Sequence, residues 1–353
     1  MKKRIASIEL LRILAMMMVV MLHYLSKGEL LTSLTEEFDA NSYIAWLLEA
    51  FSIVAVNVYM LISGYFLVDS GFKLKRLVQL VCQVLFYSLL IPPVLLAAGI
   101  LQPEQLTVYR LLQYALPGQM AHYWFITAYL IMYLLSPVLA AGARALSQKQ
   151  LRNTIVLLLL FFSVSKSVLP VQLEVDNLGY DGLWFICVFL VAAYMRLYGI
   201  PFLQKGRRAA LCYLGSCALI YGLTMGVRLF YLKTGRLGHF IHAPYDYNHI
   251  LNLFAAVSLF YAFSQWKLSG EKFIGKVILR VAPYTLGVYL LHEHVELRTL
   301  WPRWLGAGTQ SSPWALAPRA ICSVLAVFAV GILVDMARGA LFSLIEKIGR
   351  STK

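Results

Sequence analysis

The apolar stretch RIASIELLRILAMMMVVMLHYLSKG, residues 4–28, carries Glu9, Arg12 and His23, three groups that are expensive to place in hydrocarbon. His23 has the chemistry for a reaction. A neutral imidazole with an unperturbed pKa of about 6.5 can take or give a proton at physiological pH, and it can also attack an electrophilic carbon as a nucleophile. Arg12 and His23 are eleven positions apart. On an α-helix that spacing falls about 20° from three full turns, so both side chains leave one face, separated by roughly 16 Å along the axis. The pair marks one polar seam at two depths. Glu9, three residues before Arg12, is placed to pair with it, and a plain interfacial role explains Glu9 equally well. The corresponding plain reading of His23 is an interfacial histidine bonded to a neighbour.

Composition says what must position these groups. The 353 residues are 60% hydrophobic and 14% charged, whereas a soluble globule carries about 25% charged residues. The apolar material comes in segments of roughly 20 residues, the length of a helix crossing a hydrocarbon core. Ten spans are predicted, near 5–25, 43–67, 77–101, 122–142, 153–170, 182–199, 209–232, 248–266, 277–294 and 314–337. The alternation expected of a membrane β-barrel is absent from the pattern. The expectation is an all-α integral membrane protein, a bundle of about ten transmembrane helices.

Basic residues set the orientation, because short cytoplasmic segments collect Lys and Arg. With the N-terminus inside, 21 of the 31 basic residues fall on inner segments, from Lys2, Lys3 and Arg4 to Arg338, Lys347, Arg350 and Lys353, and only seven on outer ones. Both termini are therefore expected in the cytoplasm. The formal charge of +14 reads as a topology signal, and no basic segment interleaves with aromatics as a single-strand nucleic-acid groove requires. The first apolar run lacks a small-residue cleavage site and reads as an uncleaved span. All five cysteines fall inside apolar spans, which argues for buried packing. His239, His242 and His249 lack a clean ligand spacing, so no metal is expected. The longest loops are too short for a soluble catalytic domain, which confines any chemistry to the membrane and its edges.

Arg12, ten intervening residues and His23 on a first transmembrane helix resemble the signature of the acyltransferase 3 family of membrane proteins. Further stretches resemble the family's motifs in order: IELLRILAMMMVVMLH; VNVYMLISGYFLV at 56–68, centred on Ser63, Gly64, Tyr65 and Phe66; the basic FKLKRLVQL at 72–80; HYWFITAYLIMYLLSPVL at 122–139; and LGVYLLHEH at 286–294. The resemblance covers essentially the whole chain and implies one transmembrane acyltransferase 3-like domain over 1–353. Many relatives append an extracytoplasmic hydrolase-like domain of the SGNH type. This sequence ends at Lys353 without one, so the expectation is a protein that acts alone or with a separate partner.

The resemblance implies transfer of an acyl group, most often acetyl, from cytoplasmic acyl-coenzyme A to a hydroxyl of a cell-surface or extracytoplasmic carbohydrate, by a multi-pass protein of the plasma membrane. Acyl-coenzyme A would be a donor substrate, with no permanently bound cofactor. His23 would be the base that takes the hydroxyl proton, or a nucleophile that carries the acyl group. Glu49, at a similar depth in the second span, is placed to orient the imidazole, or only to face the outer interface. The phosphates of the donor would meet Lys73, Lys75 and Arg76, for which positive-inside anchoring is the plain alternative, with Arg12 one depth further in. Donors for an oxyanion could come from Asn57, Tyr65, Trp124 and Tyr129, residues that otherwise serve packing. His292 and Glu293 would line the acceptor entrance or simply face the interface. Gly64 reads as a point of close helix approach.

A transporter or flippase for a polar glycan or lipid-linked sugar is the rival reading, since it too would have about ten spans and a few intramembrane charges. The halves show no persuasive internal repeat, although Pro92 and Pro93 are expected to interrupt the third span. The acceptor, whether peptidoglycan, capsule, exopolysaccharide or teichoic-acid sugar, and the choice of acetyl or succinyl, stay open at the level of sequence.

Overall fold

The computed structural model describes residues 4–170, 173–309 and 312–351, the last three by backbone alone. Lys2, Lys3 and Lys353, and the side chain of Arg350, all part of the basic pattern above, lie outside the described residues. The described residues are helical, with no strand among them. In chain order the helices are α1 Ala6–Lys27, α2 Ala40–Ser52, α3 Ala55–Ser70, α4 Leu74–Ala97, α5 Val108–Ala115, α6 Trp124–Ala145, α7 Gln148–Leu159 and α8 Ser165–Val168. They continue as α9 Gly182–Leu197, α10 Gly206–Thr234, α11 His239–His242, α12 Ile250–Ser264, α13 Phe273–Val281, α14 Thr285–His292, α15 Leu300–Trp304 and α16 Pro313–Ser351. In hydrocarbon every backbone group must be satisfied within the chain, which is why runs this apolar become helices.

Among the described residues, eight stretches are long and apolar enough to cross a membrane: α1, the α2–α3 run, α4, α6, the α7–α8 run, α10, the α13–α14 run and α16. This falls short of the predicted ten. The other two expected spans are α9 and α12, with 16 and 15 helical residues, fewer than the roughly 20 a straight crossing needs. Both are largely buried among other helices, so neither has to match the thickness of lipid by itself. The third span also departs from expectation, because α4 runs unbroken past Pro92 and Pro93 to Ala97. Such prolines are tolerated in membrane helices where neighbours re-satisfy the freed backbone.

Helix starts follow ordinary capping chemistry. Asp39, Thr107, Ser147 and Asp181 each accept a backbone N–H of the first turn that follows, supplying partners for donors the helix cannot satisfy itself. Gly71, at φ 66°, ends α3 in a conformation that costs glycine little, and so sets the tight step into α4.

α1 is the axis of the bundle. It packs against α2, α3, α13, α14 and α16, and Leu11, Ala15, Val20, Tyr24 and Leu25 are wholly buried. The outer helices carry exposed Leu89, Val94, Leu134, Val138, Leu157, Phe161, Leu219 and Leu333, the apolar belt a lipid-facing surface requires.

Gly64 shows how close the inner helices come. A Cβ there would lie 2.9 Å from Ala192 Cβ and 3.3 Å from Phe189 Cα on α9, so only the missing side chain allows α3 and α9 to touch. Gly64→Val is therefore expected to lower the detergent melting temperature, with overpacking costing about 1–3 kcal/mol. An unchanged melting temperature would mean the two helices do not meet there.

Candidate active site

A cavity of about 940 Å³ lies between α1, α3, α4, α6 and α14, large enough for a substantial ligand. From α1 it is lined by Arg12, Met16, Val19 and His23, one helical face in successive turns. One end is charged: Arg4, Glu9, Arg12, Asp69, Lys73, Arg76 and Arg196 line it, five cations against two carboxylates. The other end holds His23, Leu22, Val56, Trp124, Phe125, Tyr247 and Tyr289. The exposed lining residues, Lys73 and Arg76 among them, belong to the charged end, while those around His23 are buried or half-buried. The cavity therefore opens at the basic end and closes at His23.

Glu9 organises the basic end. It accepts from Arg4 Nε at 3.0 Å and from Arg12 Nε at 3.2 Å, and Arg4 is held in turn by the Leu279 carbonyl at 2.8 Å. Arg12 keeps its two terminal nitrogens without a protein hydrogen bond among the described residues, as Lys73 keeps its ammonium. Arg76 spends one donor on Ser70 Oγ at 3.3 Å. Arg196 binds Asp69 at 2.6 Å and lies over the Tyr65 ring at 5.0 Å. This end presents unspent cationic donors to the cavity, the chemistry that holds phosphate.

At the closed end the hydrogen bonds assign the proton of His23. His292 Nδ1 lies 2.6 Å from the Val288 carbonyl, which can only accept, so Nδ1 of His292 carries the proton and its Nε2 is an acceptor. His23 Nδ1 is 2.8 Å from that Nε2 and must donate. His23 Nε2 is then bare, without a protein partner among the described residues, on a ring that lines the cavity. Glu293 Oε2 lies 3.2 Å from the same Nδ1 but out of line for a hydrogen bond. It places a carboxyl beside the nitrogen where an imidazolium would form. The turn bearing this pair is pinned by Trp301 Nε1, which donates to the His292 carbonyl at 3.0 Å, and by the Tyr123 hydroxyl, which donates to the Leu290 carbonyl at 2.8 Å.

The acyltransferase domain family, acyltransferase 3, matches residues 5–336. The chain belongs to the acyltransferase 3 family. It is a membrane acyltransferase, and the transporter reading gives way to that membership. No curated protein and no solved structure matches the chain.

The acyltransferase brings some of the sequence-predicted residues together and separates others. Arg12, Lys73, Arg76, Trp124 and Tyr129 line the one cavity with His23. His292 touches His23 directly. Glu49 does not: it is buried without a partner for Oε2, near Tyr245 and Tyr247, and Glu293 occupies the place beside His23 foreseen for it. Lys75 turns away and pairs with Glu346 at 3.6 Å, because it lies off the face that Lys73 and Arg76 share three residues apart. Asn57 is spent within the bundle. It donates to the Tyr247 carbonyl at 2.7 Å and to Asn252 Oδ1 at 3.2 Å, and it accepts from Trp184 Nε1 at 2.9 Å, which leaves no donor for an oxyanion. The Tyr65 hydroxyl accepts from Arg196 Nη1 at 3.3 Å, at the basic end and away from His23. Tyr129 lines the middle of the cavity with Ser63, and Trp124 lines the closed end.

The reading from sequence missed Glu293 as the companion of His23, and Arg4, Arg196 and Asp69 at the basic mouth. LHEH held the first signal, two histidines flanking a carboxylate at the end of an apolar run. Arg196 gave none beyond its place in the last turn of a span.

Proposed function

We propose that this acyltransferase moves acetyl groups from cytoplasmic acetyl-coenzyme A to a hydroxyl of an extracytoplasmic, cell-envelope carbohydrate, as a multi-pass protein of the plasma membrane with both termini inside. The observation that carries the reading is the cavity joining a mouth with unspent cationic donors on Arg12, Lys73 and Arg76 to a histidine whose Nε2 is bare. Coenzyme A is made in the cytoplasm and carries several phosphates. Arg12, Lys73, Arg76 and Arg196 would hold its nucleotide while the pantetheine arm runs up the face of Met16 and Val19 to place the thioester at His23. It enters as a substrate, and no resident cofactor is called for.

In direct transfer Nε2 removes the acceptor hydroxyl proton, the oxygen bonds to the acyl carbon, the C–S bond breaks, and the proton ends on the coenzyme A thiolate. In two-step transfer Nε2 itself bonds the acyl carbon, coenzyme A leaves, and the hydroxyl then takes the group from the imidazole. Both routes use the same nitrogen, and in both Glu293 offsets the imidazolium charge that builds up.

Purified protein in detergent given isotope-labelled acetyl-coenzyme A is expected to bind it, and to transfer label to added cell-wall or capsular oligosaccharide or release it slowly to water. A folded protein that neither binds nor turns over the donor would overturn the proposal. Tags on both termini should be shielded from outside reagents in intact cells, and a reactive terminus would reverse the direction assigned to the cavity.

A further inference from the structure

The closed end of the cavity is built from rings. Trp124 and Tyr247 lie stacked, with centroids 5.8 Å apart and planes inclined by 24°. Tyr180 packs against them at 4.7 and 4.5 Å. Tyr289 is 6.3 Å from the His23 ring, and Phe125 joins it to Trp124 at 5.8 and 6.1 Å.

The backbone of Tyr247 is fixed from both sides. Its N–H donates to the Leu178 carbonyl at 3.1 Å, and its carbonyl accepts from Asn57 at 2.7 Å. Asn57 is in turn locked by Trp184 and Asn252. The ring wall is therefore rigid, and it is also uncharged. Every cation lining the cavity is at the opposite end. Lys27 and Arg298 act on His23 electrostatically from outside the lining, and Arg298 faces Glu293 at 3.8 Å.

We infer that the ring wall formed by Trp124, Tyr247 and Tyr289 selects the acyl group, admitting short uncharged groups such as acetyl and rejecting longer or carboxylate-bearing ones. The inference rests on the acyl transfer proposed above. A donor threaded from the basic mouth with its carbonyl at His23 directs its alkyl end at this wall. Each added methylene has to displace close-packed rings, which interiors resist. A succinyl carboxylate would meet rings and no cation, and a buried charge without a partner is strongly disfavoured. Asn57 acts through Tyr247 as a positioning residue, which accounts for a fully buried amide that spends all its bonds inside the bundle.

The test compares kcat/KM for acetyl-, propionyl-, butyryl- and succinyl-coenzyme A with one acceptor, in the parent protein, Tyr247→Ala and Trp124→Leu. The parent should prefer acetyl to butyryl by roughly 10²-fold, in the range that methylene discrimination by an apolar pocket reaches. Either variant should cut that preference about 10-fold or more, with succinyl still poor. Trp124→Leu keeps an apolar side chain against Phe125 and Tyr180, so it tests the wall should Tyr247→Ala not fold, and detergent melting curves identify which variants are folded. An unchanged acetyl-to-butyryl ratio in a folded, active variant overturns the inference. So does a variant that raises only the acceptor KM, because the rings would then hold the carbohydrate. A parent protein that turns over no acyl-coenzyme A removes the underlying transfer reaction instead, and is told apart by the parent's own silence.

Discussion

His23→Ala is expected to cost acyl transfer roughly 10² to 10⁴, the contribution of one positioned proton-transfer group, while acetyl-coenzyme A still binds. Arg12 sits about 16 Å down the same helix, and Lys73, Arg76 and Arg196 stand on or beside α4 and α9, so removing the imidazole leaves these cations in place. The substitution also strips His292 Nε2 of the donor that reaches it at 2.8 Å, and an unsatisfied buried acceptor costs about 1–3 kcal/mol, so a modest fall in melting temperature should accompany the lost activity. Arg12→Ala should show the opposite pattern, with a raised donor KM and a smaller loss in kcat, because a phosphate contact made alike in ground and transition states acts mainly on binding. Steady-state kinetics with the donor varied, beside direct donor binding, reads both. A His23→Ala protein that transfers at the parental rate would return His23 to the role of an interfacial histidine. If both variants lose only folding or insertion, the polar seam is structural.

The second large effect is a blockage. Ser63 lines the cavity midway along α3, seven residues from both Val56 at the closed end and Ser70 at the basic mouth, about 10 Å each way. An indole there would fill the passage at the level of Tyr129, which lines the same cavity. Ser63→Trp should abolish transfer, by more than about 10²-fold, because a thioester held short of the imidazole forfeits the proximity on which the rate depends. Adenosine 3′,5′-bisphosphate, which carries the 3′-phosphate and the first 5′-phosphate without the arm, should still bind at the mouth. Retained nucleotide binding with lost transfer is the pattern to look for, together with a melting curve close to that of the parent. Ser63→Trp protein that transfers acetyl normally would show that the donor does not travel through this cavity.

The amino-acid sequence by itself determined the class, because hydrophobicity is a sum over local composition and needs no partner to be read. It also determined that Arg12 and His23 share a face, because helical periodicity follows from the peptide backbone alone. The ordered motifs from IELLRILAMMMVVMLH to LGVYLLHEH carried the family. The pairing of distant groups was not legible. Glu49 and Glu293 are both carboxylates at the outer ends of spans, with nothing local to say which meets an imidazole; His23 finds its partner 269 positions away because α14 packs beside α1 and α2 turns Glu49 elsewhere. Lys73, Lys75 and Arg76 look alike in one basic run, and only the rotation of α4 sends Lys75 to Glu346 and the other two to the cavity. The helices at α9 and α12 are shorter than the expected spans for a related reason, since apolarity does not distinguish a helix covered by lipid from one covered by protein. Tertiary packing decided these points, because hydrogen bonds and ion pairs depend on distances that the chain fixes only after its helices have chosen their neighbours.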